Sequence, residues 1–196
     1  MGDAAAAILP AGGRMMSLDE WASLPEDQPG ELVDGRLVEE EVSDFDHESV
    51  AAWLLIFLGG WALSRGGLAF GSDGKFAIRP GLGRKPDLSV FLPGAPLPPR
   101  RGPAHTPPSI VVEVISSDSR DVRRDRIDKA LEYAAFGVRY YWLIDPDNRT
   151  FEIFELDALG RYARVAATST GTLDVPGCTG LTLDLDAMWA YVDRLH

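Results

Sequence analysis

The sequence predicts an α/β (α+β) chain, a mixed central sheet flanked by helices on both faces. Three observations predict it. The apolar segments "SIVVEVI" and "YYWLI" flank a helix-patterned stretch, residues 121–136. That is a βαβ unit, whose strands run parallel through a right-handed crossover. A long helix precedes the strands, because Val50, Leu54, Phe57, Leu58 and Trp61 recur at three- and four-residue steps. And 196 residues, 45% hydrophobic and 25% charged, are the size and balance of one globular domain.

The elements follow in order. Residues 1–14 read as a flexible tail, so the single domain is 15–196. "SLDEWASL" opens on Ser17 and Glu20, a capping-box pattern that predicts a short helix. Pro25 to Gly30 is a loop, and "ELVDGRLVEEE" is a hairpin about Asp34–Gly35. The long helix runs from Asp46 to about Ser64, where Gly66–Gly67 stops it. "LAFGSDGKFAI" reads as strand, turn, strand, or as one bulged strand. "RKPDLSVF" and "SIVVEVIS" look like buried parallel strands. Between them, Pro93 to Pro108 holds seven of the 14 prolines, a long irregular connection of the kind that often carries function. Gly137 closes the 121–136 helix, "DPDN" ends the strand after it, and "RTFEIFEL" pairs with "RYARVAA" as a meander. A strand and a helix capped near Asp184 or Asp186 finish the chain.

Composition excludes several classes. The most apolar run, Val50–Leu63, has 14 residues, and a membrane span needs about 20. No basic segment precedes an apolar one at the start, as a secretory signal requires. A single cysteine, Cys178, forbids an internal disulfide and fits the cytoplasm. The net charge of −11 argues against indiscriminate binding to nucleic acid. The charge is uneven, however: residues 79–129 hold ten Lys and Arg against six Asp and Glu.

That basic stretch surrounds Asp87 and Glu113, two carboxylates set in apolar strands. An unpaired carboxylate in a core is costly, so each needs a cation, a basic partner or a place facing a cleft. A divalent metal removes the repulsion between two such groups, and a hard cation such as Mg²⁺ prefers oxygen ligands. The bland alternative is one carboxylate capping a strand and the other paired with arginine.

"PD" at 86–87 followed by "VVEVIS" at 111–116 resembles the motif of the PD-(D/E)XK nuclease superfamily, with its restriction-endonuclease-like core. The usual lysine two residues after the second acid is absent, since that position is Ile115. "ELVDGRLV", a histidine at the head of a long helix, "KPDLSVF", "VVEVIS", "DRIDKALEYAAFGVRYYWLIDP" and "FEIFEL", in this order over roughly 15–195, resemble the Uma-two family of bacterial endonucleases. The most specific parts are Asp125, Lys129, Tyr133 and Ala134, and the Gly137–Pro146 segment. The resemblance implies phosphodiester hydrolysis of nucleic acid, DNA first. It implies Mg²⁺ or Mn²⁺ on Asp87, Glu113 and the Val114 carbonyl, and a catalytic lysine moved from the strand to the helix, at Lys129. A homodimer stays open.

The residues alone do not choose the lysine. On a helical wheel Ile127, Leu131, Ala134 and Val138 share one face, and Lys129 lies about 200° from Ile127. Lys129 reaches a cleft only if its flank borders one; otherwise it is a surface partner of Asp125, worth little. Lys85 and Lys75 are alternatives. Glu31 matches an acid common in the family and is a candidate further ligand, and His47 a candidate base or phosphate binder. Arg120, Arg123, Arg124 and Arg126 crowd the start of the helix, where a helix N-terminus already favours phosphate. The competing readings are a catalytically silent nuclease-fold binding or assembly module, which the missing strand lysine favours, and an oligomerisation module using "FEIFEL".

Overall fold

The computed structural model describes residues 14–25, 30–38, 43–116 and 123–195. Ser17 caps α1 (Leu18–Ala22) through the full capping box: its Oγ accepts from Glu20 N, and Glu20 Oε2 accepts from Ser17 N at 2.7 Å. The expected hairpin forms as β1 (Glu31–Val33) and β2 (Arg36–Val38). Asp34 and Gly35 at its tip both have positive φ, as a two-residue type I′ turn requires. Arg14 and Met15 already belong to the fold, since Leu37 N donates to Arg14 O and Met15 bridges Arg36. The rest of the expected tail lies outside the described residues.

The long helix is α2 (Phe45–Leu63), capped by Asp44, whose carboxylate accepts from His47 N at 2.8 Å. After it come β3 (Leu68–Phe70), β4 (Phe76–Arg79), β5 (Leu82–Arg84), β6 (Leu88–Phe91) and β7 (Ile110–Val114). A π-helical stretch, Arg124–Lys129, runs directly into α3 (Ala130–Phe136), which Gly137 ends in the left-handed conformation. β8 (Tyr140–Asp145), β9 (Thr150–Leu156), β10 (Tyr162–Thr168), β11 (Thr172–Asp174), β12 (Thr182–Asp184) and α4 (Leu185–Val192) complete the chain.

The strands form a large sheet in the order β10-β9-β8-β7-β6-β3, a small sheet β2-β1-β5-β4 and the hairpin β11-β12. β7 and β8 are parallel, as the βαβ reading requires. β6 and β7, expected to be parallel, are antiparallel. Apolar runs mark a strand buried on both faces, whatever its direction, so composition could not tell the two apart. "LAFGSDGKFAI" is strand, turn, strand, as expected, but its two strands do not pair with each other. β3 joins β6 in the large sheet, and β4 joins β5 in the small one. "RKPDLSVF" is divided likewise: Arg84 ends β5, and Lys85–Asp87 carries the chain across to β6. The proline-rich connection is pinned at Ala104, which exchanges main-chain hydrogen bonds with Lys75 and Ala77.

The main core lies between the large sheet and α2 with α4. It holds Val50, Leu54 and Leu58, then Leu88 and Val90, Ile110, Val112 and Val114, and Trp142 and Met188. Val111 of β7, Ile115 just past its end, and Tyr141 and Leu143 of β8 form a second cluster with Tyr133 of α3. By the two-residue period of a strand, Glu113 therefore projects toward α3.

Candidate active site

Asp87 stands at the head of β6, and Glu113 near the end of β7. Leu88 pairs with Val112, so one further step of the antiparallel register sets Asp87 opposite Glu113. The two acids thus sit at neighbouring positions of adjacent strands, where the charge of Asp87 acts on Glu113. Asp87 is held from two sides: its Oδ2 accepts from Val114 N at 2.7 Å, and His47 Nε2 of α2 lies 3.2 Å from the same oxygen.

The helix meets Glu113 with its polar face. Lys129 Nζ donates to Glu113 Oε2 at 2.7 Å, and Tyr133 OH to Oε1 at 2.7 Å. Asp125 Oδ1 lies 3.2 Å from the same ammonium. Lys129 is 3% exposed, while Ile127 and Leu131 are 50% and 67% exposed. The wheel sets Ile127 and Leu131 apart from Lys129 and leaves open which flank faces inward; it is the Lys129 flank that meets the sheet, so Lys129 is no surface partner of Asp125. The π-helical winding over Arg124–Lys129, a rare form that recurs at functional sites, is held by Tyr141 OH donating to Asp125 O at 2.8 Å. Ile115, where a strand lysine would stand, is buried in the apolar cluster beside Tyr133. Lys129 brings its ammonium to the same glutamate from the helix.

A second layer was not legible in the sequence. Arg84 is fully buried and donates to Glu31 Oε2 at 2.6 Å and to Glu132 Oε2 at 2.7 Å. The other Glu31 oxygen accepts from Lys85 N at 2.8 Å. Glu31 thus ties β1 to the Lys85–Pro86–Asp87 crossing, and Arg84 ties both to the helix. Tyr133 had a signal: it lies four residues after Lys129 and so shares its face. Arg84 had none, because its partners lie 53 and 48 residues away.

Electrostatics reflects a surplus of acid. Burial pushes the Glu113 carboxyl up to about 8; Lys129 opposes this, but Asp87, Asp125 and Glu31 add to it. Burial alone would lower Lys129, yet Glu113, Glu31 and Asp125 raise it well above its ordinary value, so it stays an ammonium. Burial would also raise Glu31, but Lys129, Arg84 and the Lys85 amide hold it down at about 2. Burial disfavours a charged His47, but the hydrogen bond and charge of Asp87 raise it above the usual histidine value.

The other candidates lie elsewhere or are engaged. Lys75 Nζ donates to the carbonyls of Trp21, Ala22 and Leu24 at the end of α1. Lys85 Nζ is 3.7 Å from Asp73. Arg126 binds Glu152 at 2.6 Å and approaches Asp145 at 3.6 Å, and Arg124 Nε lies 3.6 Å from Asp125. Arg123 is exposed before the π-helical stretch, and Arg120 lies outside the described residues.

The donor set fits a hard divalent cation. Among the described residues no group of three or more His, Cys, Asp or Glu is placed to hold a metal. The two facing carboxylates offer oxygen only, and one donor on each Glu113 oxygen leaves a further lone pair on each. Two carboxylates, a main-chain carbonyl and water are the shell that Mg²⁺ accepts. The acid surplus around Glu113 is the electrostatic counterpart of that fit.

This chain belongs to the Uma2 family: the family's sequence model, described as "Putative restriction endonuclease", matches residues 17–186. Its fold is similar to that of a protein from Anabaena variabilis ATCC 29413 described as "a putative nuclease belonging to DUF820". The two superpose with a TM-score of 0.70 at 19% identity, over 90% of this chain and 99% of that one. The fold is thus restriction-endonuclease-like, a mixed α+β core. No curated protein matches the chain.

Proposed function

We propose that this chain is a metal-dependent endonuclease that hydrolyses phosphodiester bonds of nucleic acid, DNA first, in the cytoplasm. The observation that carries the reading is the facing pair Asp87 and Glu113 with the Lys129 ammonium 2.7 Å from Glu113. Asp87, Glu113 and the Val114 carbonyl would hold Mg²⁺ or Mn²⁺. When bound, the cation supplies a water of lowered pKa and charge for the phosphate oxygens. Lys129, fixed by two carboxylates, donates to charge that develops on the phosphate or its leaving oxygen. Tyr133 and His47 orient the two acids. Glu31, whose oxygens accept from Arg84 and the Lys85 amide, braces the crossing that carries Asp87.

A second reading has a specific observation behind it. Both Glu113 oxygens are already bonded, by Lys129 and Tyr133, and the chain carries a net charge of −11, as a silent nuclease-fold module would. Cleavage assays on single- and double-stranded DNA and RNA, with Mg²⁺, with Mn²⁺ and with chelator, separate the two. The enzyme reading expects metal-dependent cleavage that Glu113→Gln abolishes. No cleavage of any substrate by the wild type with either metal establishes the silent module instead.

A further inference from the structure

Gly83 has no room for a side chain: a methyl group there would run into the Trp21 ring of α1. β5 is pressed against α1 on that face, and by the two-residue period of a strand Arg84 projects from the other, toward α3. Its guanidinium is fully buried and carries two carboxylates. Nη1 donates to Glu31 Oε2 at 2.6 Å, while Nε and Nη2 both reach Glu132 Oε2 at 2.7 Å. Each carboxylate leads to one half of the site. The second Glu31 oxygen accepts from Lys85 N at 2.8 Å, and Pro86 follows with its φ fixed by the ring, so the chain from Arg84 to Asp87 has little freedom left. Glu132 lies in the same helical turn as Lys129 and Tyr133, the two donors to Glu113.

We propose that Arg84 is the positioning residue of the site: it sets the distance between Asp87 and the helix that presents Lys129. This role rests on the reading of Asp87 and Glu113 as the metal-binding acids. A guanidinium suits it, because its planar fork holds two carboxylates at fixed angles, whereas an ammonium is a point charge on a flexible stem. Apolar residues of similar volume would serve stability as well as a buried ion bridge does. The small sheet already docks on α3 through Phe76, opposite Arg84 on β4, and Phe136, which pack in one apolar cluster. The ion bridge therefore adds a fixed geometry to a contact that apolar packing makes. The Val114 amide reports where Asp87 stands. It donates to Asp87 Oδ2 at 2.7 Å, whereas Val112, two residues back on β7, pairs with Leu88 inside the ladder.

Hydrogen exchange of the full chain, read by NMR without metal, and calorimetric titration with Mn²⁺ test this role. Arg84→Lys keeps the charge and loses the fork. It should speed Val114 exchange about tenfold, as the loss of one bond to a charged group does. Val112 should keep its rate, and Mn²⁺ binding should weaken several-fold. Glu132→Ala cuts only the helix end, at a half-buried side chain, and should act in the same direction to a lesser degree. Should Arg84→Lys not fold, Glu132→Ala decides alone. A bridge that only stabilises would speed Val112 and Val114 together and leave Mn²⁺ binding by the folded protein as before. That pattern, or an unchanged Val114 in both variants, overturns the proposal. A wild type that binds no Mn²⁺ while Val114 still responds to Arg84→Lys upholds the positioning and ends the metal reading of the site. A wild type that binds Mn²⁺ through Asp87, with neither measurement responding to the variants, keeps the metal reading and overturns the positioning.

Discussion

The helical segment Arg124–Phe136 has two faces that invert the ordinary rule. Asp125, Lys129 and Tyr133 are buried against the sheet, while Ile127 and Leu131 face outward beside a groove of about 380 Å³ lined by Tyr141, Leu143, Phe154 and Tyr162. Burying ions costs several kcal/mol each, and apolar residues of similar volume often serve stability as well or better. The inner face is therefore not a device for stability. It places one ammonium and one phenol on the two oxygens of Glu113, and the outer face bears the displaced apolar residues. The contrast teaches that the helix is oriented by the site's charges and not by its hydrophobic pattern.

The contrast can be broken most directly at Lys129. Lys129→Met should destabilise the fold by about 3–5 kcal/mol in urea denaturation above the Glu113 pKa of about 8, where Glu113 is ionised and is left without its cation. The intact surface residue that helical pairing alone predicts would lose a few tenths. Adding Glu113→Gln should recover part of the loss, a coupling that two independent sites would not show. If the enzyme reading holds, the cleavage rate of the remaining folded protein should fall by about 10²-fold or more.

Acid should expose the layer behind the inner face. The Glu31 pKa is held at about 2 in the fold, against an ordinary 4.5. A depressed carboxylate contributes stability that is fully present above pH 4.5 and is lost as pH falls through about 2. Denaturation midpoints should drop through that window in the wild type, and Glu31→Gln should flatten that part of the profile. An unchanged profile would mean that Arg84 does not hold Glu31 in solution.

Tyr133→Phe sharpens the comparison with a smaller change. It removes one hydrogen bond to the buried Glu113 and should cost about 1.5–3 kcal/mol, read by thermal denaturation. On the outer face, Leu131→Lys should stay within about 0.5 kcal/mol, because the side chain is largely in solvent already. A large loss there would show that the apolar face is covered in solution.

By itself the sequence determined what rests on near neighbours. The capping box of Ser17 and Glu20, the Asp34–Gly35 turn, the long α2 and the parallel pair around the Arg124–Phe136 helical segment each follow from contacts a few residues apart or from one crossover, and each is present among the described residues. Motif spacing and family likeness singled out Asp87, Glu113 and Lys129, and the fold sets Lys129 on Glu113 and Asp87 on the neighbouring strand position. Only the tertiary structure decided which way the helix faces, that β6 runs against β7, that β3 and β4 go to different sheets, and that Arg84 closes a buried bridge between Glu31 and Glu132. Periodicity separates two faces of a helix but does not say which one meets a sheet. Here the choice was made by Glu113, a charge on another strand that had to find its cation.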